Sequence, residues 1–280
     1  MRASAQRSPQ GGNIVRCVST ENAWLNGISL SSLDASIIVR PAIEPEQKPN
    51  ITYIANAGPS GRFIASNRQD SKVIQVRFSI KGLSNLTERA HIIDIVNGWA
   101  SKGGNLQISS RSDQQIGVTC IKYATPSDII SLAGVYVLEF EANGVPYWQD
   151  IVPHVSEFQN SRGSGSGGFV MTGNVETMVE FSITPENGTM TELAVGIGNS
   201  SNQTSYDFEF YGLQLASGQT MTITYDQNDI LSIVADGVSV LDKRTAESAD
   251  DLVAFPGMVV VGFYADTLCT GRFSARGRYR

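Results

Sequence analysis

Apolar and polar residues alternate along residues 72–80, KVIQVRFSI, as they do in a strand with one buried face. The apolar face carries Ile74, Val76, Phe78 and Ile80, and the polar face carries Gln75, Arg77 and Ser79. The same period of two returns in residues 134–142, GVYVLEFEA, where Tyr136, Leu138 and Phe140 share a face. Both segments are therefore predicted to be strands.

The segment between these strands has a helical period instead. Asn85, with Glu88 three residues later, resembles a capping box, and Gly103-Gly104 is a helix stop. The residues between them form an apolar stripe: Leu86, Ala90, Ile93, Val96 and Ala100. Ile92, Ile95 and Trp99 widen this stripe beyond what one sheet face needs. Trp99 is thus either a core residue at the edge of the stripe or a contact for another chain.

Strands and one helix together predict an α+β domain over residues 24–158, after a polar N-terminal extension over residues 1–23. Asn26-Gly27 suits a tight turn between short strands. Residues 41–71 contain four prolines and are predicted as a long loop or an arm. Tyr147 and Trp148 follow the last strand, and we expect them to cap the core of this domain or to contact a neighbouring molecule.

Residues 169–280 show no amphipathic helix and carry many short strand patterns separated by turns, as in a β-sandwich. The clearest hairpin is ILSIVADGVSVL, in which Asp236-Gly237 predicts a type I′ turn that pairs Ala235 with Val238. Residues 159–168 between the two domains include SRGSGSGGF and are predicted to be a flexible Gly/Ser linker. The GxGxxG match inside it lacks the strand and helix that a dinucleotide site needs.

The charge of −6 lies mostly in the second half. Residues 1–160 carry 14 basic and 13 acidic side chains, and residues 161–280 carry 7 and 14. Neither half has the basic face of a nucleic-acid-binding protein. The arginines at positions 272, 276, 278 and 280 are interpreted as a strand edge protected by charge.

Three scattered cysteines fit neither a disulfide framework nor a zinc site. The chain also lacks a secretory signal and a membrane-spanning run, so we expect synthesis in a cytoplasm and no contact with a membrane.

The sequence predicts no catalytic residue, no cofactor and no metal ion. His91 and His154 lie far apart, and Glu139 with Glu141 form no recognisable acid–base pair, so an enzyme is not expected. A sandwich can instead bind sugar on an exposed aromatic ring. Tyr206, Tyr211 and Tyr264 are the candidate surface contacts of the second domain, although core or interface packing is the alternative for each.

The order of these segments resembles the distal tail protein of long-tailed, non-contractile bacteriophages. In the first domain the resemblance rests on LNGISL, VIQVRFSI, ERAHIIDIVNGWA with GGNLQIS, and VYVLEFEA closing on PYWQ. In the second it rests on GLQLASGQTMTITYD, ILSIVADG and the ending ARGRYR. The resemblance covers roughly residues 24–280. The chain departs from the family in its N-terminus, which is longer than the usual start, and in having no large inserted sugar-binding module.

This family resemblance implies a virion protein of the tail tip. A belt domain would form a homo-hexameric ring between the tail tube protein and the tail-tip hub protein, and a galectin-like sandwich would project outward and carry receptor-binding proteins. DNA would pass through the lumen without specific binding, which a near-neutral belt favours. Trp99, Tyr147 and Trp148 are the candidate ring contacts. The alternative function is a lectin-like carbohydrate-binding module for attachment to a host surface.

Overall fold

A computed structural model describes residues 21–45, 49–55, 62–69, 72–82, 85–125, 134–161 and 163–280. The N-terminal part contains ten strands and one helix: β1 (Ala23–Leu25), β2 (Ile28–Ser29), β3 (Ile37–Ile43), β4 (Pro49–Ala55), β5 (Arg62–Gln69), β6 (Val73–Ile80), α1 (Leu86–Ala100), β7 (Gly104–Ile108), β8 (Arg111–Lys122), β9 (Val135–Ala142) and β10 (Trp148–Asp150). A 3₁₀ turn covers Leu30–Ser32. Strands dominate this part, and α1 is the α-helix of the described chain.

The rest of the chain continues with thirteen strands: β11 (His154–Gln159), β12 (Ser164–Met171), β13 (Thr177–Met178), β14 (Glu180–Pro185), β15 (Thr189–Asn199), β16 (Thr204–Ala216), β17 (Met221–Tyr225), β18 (Leu231–Ala235), β19 (Val238–Ser239), β20 (Val253–Ala254), β21 (Gly257–Ala265), β22 (Cys269–Ala275) and β23 (Arg278–Tyr279). A second 3₁₀ turn covers Leu241–Lys243. A β-rich second part was expected from the sequence, and its strands form several separate sheets.

The sheet of the first domain follows the path β2-β1-β7-β8-β9-β6-β3, with antiparallel pairing throughout. β6 and β9 lie side by side, with Val76 opposite Leu138 and Phe78 opposite Tyr136. The side chains of these four residues are at most 2% exposed, which confirms the predicted apolar faces. Asn26 and Gly27 have φ of 51° and 79°, as the predicted tight turn between β1 and β2 requires.

Helix α1 covers the apolar face of this sheet. Asn85 is its N-cap, and its side chain accepts a hydrogen bond from the backbone N–H of Thr87. The buried side chains of the helix are Ile92, Ile93, Val96, Trp99 and Ala100. Leu86, which we predicted to belong to the stripe, is 65% exposed because it lies in the first turn, ahead of the buried residues. Of the three residues that widen the stripe, Ile92 and Trp99 are buried within this chain and Ile95 is half-buried.

The proline-rich region predicted as a loop or an arm is more regular than a loop. β3 extends through Pro41, which is tolerated because β3 is the last strand of its sheet. β4 and β5 then pair with each other in a separate two-stranded sheet, with a register shift after Thr52. The described residues of this region are therefore strands, and β4 and β5 form one antiparallel pair.

The second domain contains two sheets that share one core. One has the order β11-β22-β14-β17-β18-β19 and the other β12-β21-β15-β16. Phe263 of the second sheet lies 5.4 Å from Phe158 and 5.9 Å from Phe181 of the first, between ring centroids, so the inner faces interdigitate as in a sandwich. The predicted pairing of Ala235 with Val238 across Asp236-Gly237 is confirmed.

The predicted flexible linker over residues 159–168 is wrong. β11 already pairs with β22 from His154 onward, and Ser164 to Met171 pair with β21. The lack of side chains has a packing cause instead, since a Cβ on Gly165 would lie 2.9 Å from the Phe158 ring. A Cβ on Gly167 would lie 2.4 Å from Ser156 Oγ. The sandwich thus begins with β11, and not at residue 169.

We predicted that the C-terminal arginines protect an unpaired strand edge, and this prediction is wrong. β22 is an inner strand between β11 and β14, and β23 pairs with β10 of the first domain. Arg278 is only 7% exposed. The end of the chain therefore returns from the sandwich to the first domain, and it joins the two.

Candidate functional site

Trp99 is not available to a neighbouring subunit. Its side chain is 3% exposed and packs edge-on against Phe140, with 6.1 Å between ring centroids. The indole N–H donates a hydrogen bond of 3.0 Å to the backbone oxygen of Ile28. Both the apolar surface and the polar atom of Trp99 are thus satisfied within one chain, and its prediction as a ring contact is wrong.

Trp148 is also a core residue. It is 0% exposed, and its indole N–H donates to Glu44 Oε2 at 2.9 Å. The guanidinium of Arg111 lies 5.2 Å from the ring centroid, and Lys72 Nζ lies 5.8 Å away. The prediction of Trp148 as a ring contact is wrong for the same physical reason. Its neighbour Tyr147 is half-buried, and its role as a contact stays a prediction.

A compact charged cluster surrounds Trp148. Glu44 bonds to Lys72 Nζ at 3.0 Å and to Arg111 Nε at 2.8 Å, in addition to the tryptophan. Burial by itself would raise the pKa of Glu44, but the hydrogen bonds from Arg111, Trp148 and Lys72 outweigh it and hold that pKa below 4.5. The carboxylate of Glu44 is thus paired with two cations and one indole N–H.

Other apolar side chains of the first domain are exposed. They are Ile28, Ile43, Leu86, Ile121, Tyr123 and Val152, with exposures between 39% and 73%. Ile121 lies where β8 shifts register between Cys120 and Lys122. Tyr123 is the first residue after the end of β8. The sequence had not indicated either residue as a contact, because a bulge that turns a side chain outward leaves no mark in the alternation.

The seam between the two domains is held by polar contacts. Arg278 forms a two-point ion pair with Asp229, with N–O distances of 2.7 and 2.5 Å. The backbone N–H of Val145 donates to the oxygen of Gln227 at 3.0 Å. A polar cleft of about 220 Å³ lies beside these contacts. The second domain is therefore fastened to the first along β10 and β23, where we had expected a loose joint.

The three sandwich tyrosines differ in exposure. Tyr206 is half-buried and packs against the core. Tyr211 is 55% exposed and Tyr264 is 45% exposed. In the sheet β12-β21-β15-β16, Tyr264 lies opposite Ala194, and Tyr211 lies opposite Glu192. Because these positions alternate with buried ones along each strand, both exposed tyrosines belong to the outer face of one sheet.

A shallow trough of about 390 Å³ crosses that outer face, and we call it the glycine trough. Its outward-facing lining residues are Ser164, Ala194, Gly196, Asp207, Glu209, Gly262 and Tyr264. Gly163, at φ +92°, lets the Tyr264 ring approach the backbone, since a Cβ there would lie 2.8 Å from the ring. Sequence reasoning found Tyr264 but missed Asp207 and Glu209, although strand alternation places both outside.

The described residues contain no group of three or more His, Cys, Asp or Glu side chains able to hold a metal ion. Cys120 and Cys269 are buried, and burial, aided by Asp266 and Glu186, raises the pKa of Cys269 to about 11, so this thiol stays protonated at neutral pH. Cys17 lies outside the described residues. No helix in the ranges given above is long and apolar enough to span a bilayer.

The pair Glu139 and Glu141, considered above as possible acids, lies on the polar face of the first sheet. Glu139 forms an ion pair with Lys122 at 3.2 Å and accepts a hydrogen bond from Gln75. This carboxylate is thus held in ordinary strand-to-strand contacts.

Comparison with solved structures shows which fold this is. The crystal structure of the Dit (gp 19.1) protein of phage SPP1 matches at a TM-score of 0.65 and 13% identity, over 91% of this chain and 98% of the Dit chain. That protein is described as a paradigm of the hub adsorption apparatus in phages that infect Gram-positive bacteria. The chain therefore has the fold of a phage distal tail protein, and the resemblance found in the sequence is confirmed at the level of the fold.

Two structures of the phage P2 baseplate in its activated conformation, with Ca and with Sr, match at TM-scores of 0.47 and 0.45 and 10% identity. The matches cover 92% and 91% of this chain and 98% and 97% of the baseplate chains. No protein-family model and no curated protein sequence matches the chain.

Proposed function

We propose that this chain is a structural protein of the tail tip of a phage with a long non-contractile tail. Its first domain forms a hexameric ring that joins the tail tube to the tail-tip hub, and its galectin-like sandwich carries receptor-binding proteins. The observation that supports this most is the likeness to SPP1 Dit, which runs through both domains and nearly the whole of both chains. The protein acts in the virion after synthesis in the cytoplasm of the host bacterium.

The ring contacts need surface that one chain leaves uncovered. Ile121 at 49% exposure and Tyr123 at 41% form such a surface at the end of β8. A cyclic ring joins two different patches of each subunit, so this corner needs an unlike partner surface on the next copy. Ile28, 43% exposed on the edge strand β2, is one candidate for it. We therefore propose Ile121 and Tyr123 as ring contacts, and no longer Trp99 and Trp148.

The charge balance of the first domain is compatible with a DNA channel. The 14 basic and 13 acidic side chains of residues 1–160 nearly cancel. A lumen that bound phosphates through concentrated positive charge would retard DNA in transit, whereas a balanced surface does not. No specific contact with DNA is required.

The mass of the purified full-length chain tests the ring. Six chains of 30.2 kDa give a particle of about 181 kDa, and negative-stain images should show six-fold rings. Ile121→Arg combined with Tyr123→Ser should shift the mass toward the monomer, because it places charge in the contact. Ile230→Ser, which removes a 63% exposed side chain of the sandwich, is the matched control and should leave the mass unchanged. A wild-type chain that stays monomeric at high micromolar concentration contradicts the proposal.

The second candidate function is carbohydrate binding by the sandwich in host attachment. The exposure of Tyr211 and Tyr264 on one sheet face is the observation in its favour. Binding on a glycan array that disappears in a Tyr264→Ala variant would support it, and the absence of any glycan binding would remove it.

A further inference from the structure

The strand register shows which residues lie side by side on the outer face of the sheet β12-β21-β15-β16. Ser164, Tyr264 and Ala194 lie side by side on neighbouring strands, and Glu209 follows on β16. The next row consists of Ser166, Gly262, Gly196 and Asp207. The row after that consists of Gly168, Val260, Gly198 and Ser205. The middle row carries no large apolar side chain, and it forms the floor of the glycine trough.

The trough has the dimensions of an extended chain. Tyr264 and Val260 flank the floor on β21 and are four residues apart, which corresponds to about 13 Å along a strand. The four strands together are about 15 Å wide, since neighbouring strands lie about 4.8 Å apart. Gly262 adds no side chain to the floor, and the Asp207 carboxylate leans over Gly196, with Oδ1 2.7 Å from where a Cβ would lie. A ligand that lies between the two larger side chains can therefore reach this carboxylate.

On the β21 side, an apolar stripe runs from Tyr264, in the lining of the trough, along the outer face beyond it. Val170, Met258, Val260 and Tyr264 are between 45% and 57% exposed. Val170 lies directly opposite Met258, so the exposed side chains form one continuous stripe along β12 and β21. An apolar stripe on a sheet face is a feature of surfaces that bind a partner.

The other side is acidic. Asp207 and Glu209 face outward from β16, and neither forms an ion pair within the described chain. The sequences of all four strands contain no Lys, Arg or His. The carboxylates are therefore not neutralised by any basic residue of their own sheet.

The edge of this sheet beyond β16 is already occupied. The backbone N–H groups of Thr245 and Ala249 donate to the oxygens of Glu209 and Asp207, at 2.9 Å each. The hydroxyl of Ser248 accepts from the N–H of Glu209. A partner cannot add a strand at this edge, so it reaches Asp207 and Glu209 from the outer face of the sheet.

We propose that the glycine trough binds a polypeptide segment of a partner protein in which an arginine or lysine stands between apolar residues. The basic side chain meets Asp207 and Glu209, and the apolar ones cover Val260 and Tyr264. A sugar is the poorer fit, because the valines and the methionine of the stripe offer nothing to its hydroxyl groups. The surface belongs to one chain, so this proposal does not depend on the ring.

Three labelled pentapeptides test the proposal by fluorescence anisotropy on the full-length chain: Ser-Leu-Arg-Leu-Ser, and the same peptide with Gln or Glu in place of Arg. We expect the Arg peptide to bind about three- to fivefold more tightly than the Gln peptide, since two exposed carboxylates act on one cation. The Glu peptide should bind most weakly. Asp207→Asn combined with Glu209→Gln should abolish the difference, and Val260→Ser should weaken all three peptides.

A matched control separates this site from the general negative charge of the sandwich. Glu157→Gln combined with Asp236→Asn removes two acidic side chains of the other sheet, and Asn suits the positive φ of 48° at position 236. This control should keep the preference for the Arg peptide. The proposal is overturned if no peptide binds, if both double variants lose the preference equally, or if a neutral glycan binds through Tyr264 while the peptides do not.

Discussion

Trp148 and Tyr264 are two large aromatic residues that the sequence marked equally as contacts, and the structure gives them opposite roles. Trp148 is 0% exposed, whereas Tyr264 is 45% exposed. The difference lies in what surrounds each ring. Glu44, Lys72 and Arg111 come from distant parts of the chain to enclose Trp148. The residues opposite Tyr264 on its two neighbouring strands are the small Ser164 and Ala194. An aromatic residue thus marks a binding surface only where its neighbours are too small to cover it.

The largest effect should separate these two residues directly. We expect Trp148→Ala to destabilise the chain by about 3–5 kcal/mol, because it opens a cavity and removes a hydrogen bond to the half-buried carboxylate of Glu44. Tyr264→Ala should cost less than about 1 kcal/mol, as is usual for a surface position. Urea unfolding of both variants, followed by circular dichroism, measures the difference.

Trp148→Phe is the control for this pair. It keeps most of the ring volume and loses the indole N–H that donates to Glu44, so we expect an intermediate loss of about 1–3 kcal/mol. If Trp148→Ala and Tyr264→Ala had similar unfolding free energies, the contrast between the enclosed Trp148 and the exposed Tyr264 would be wrong.

Local features of the fold could be predicted well because they depend on neighbours in sequence. The cap at Asn85, the turns at Asn26-Gly27 and Asp236-Gly237, and the buried faces of β6 and β9 all follow from spacing and residue type. The exposure of Leu86 could not be predicted, since the helical period does not say where along a helix the sheet ends.

The surfaces were harder to predict, because burial of a given side chain depends on contacts between distant segments. The ring of Trp148 is covered by residues 37, 76 and 104 positions away. The glycine trough brings together β12, β15, β16 and β21, which only the register of the sheet aligns. The run of glycine and serine at 163–168 was misinterpreted as a linker for the same reason, since the sequence does not show that β11 lies against it.

The glycines of β12 provide a test of intermediate size. Gly167→Ala should destabilise the sandwich by about 1–3 kcal/mol, because the new methyl group would lie 2.4 Å from Ser156 Oγ and 2.8 Å from the Phe158 ring. Gly198→Ala is the control on the outer face of the same sheet, where a Cβ has no atom within 4 Å. We expect it to be neutral or to stabilise by up to about 1 kcal/mol.

Thermal unfolding of the two glycine variants separates a packed strand from a linker. In a flexible linker, Gly167→Ala would stabilise slightly by restricting the unfolded chain. A midpoint for Gly167→Ala at or above that of Gly198→Ala would therefore contradict the close contact between β11 and β12.

The smallest effect that we expect is a pH dependence of stability that comes from Glu44, in the charged cluster around Trp148. The pKa of Glu44 is lower in the folded chain than its usual 4.5, although burial opposes this, because Arg111, Trp148 and Lys72 hydrogen-bond to the carboxylate. Above that usual value the carboxylate is charged in both states, and its stabilisation is complete. As the pH falls below it, the unfolded chain binds the proton first, so stability declines until the folded carboxyl is also protonated. Urea midpoints from about pH 6 to about pH 3 should therefore fall less steeply for Glu44→Gln than for the wild type, while Tyr264→Ala follows the wild-type slope. Equal slopes for Glu44→Gln and the wild type would mean that Trp148 is enclosed by packing alone, without a contribution from the charge of Glu44.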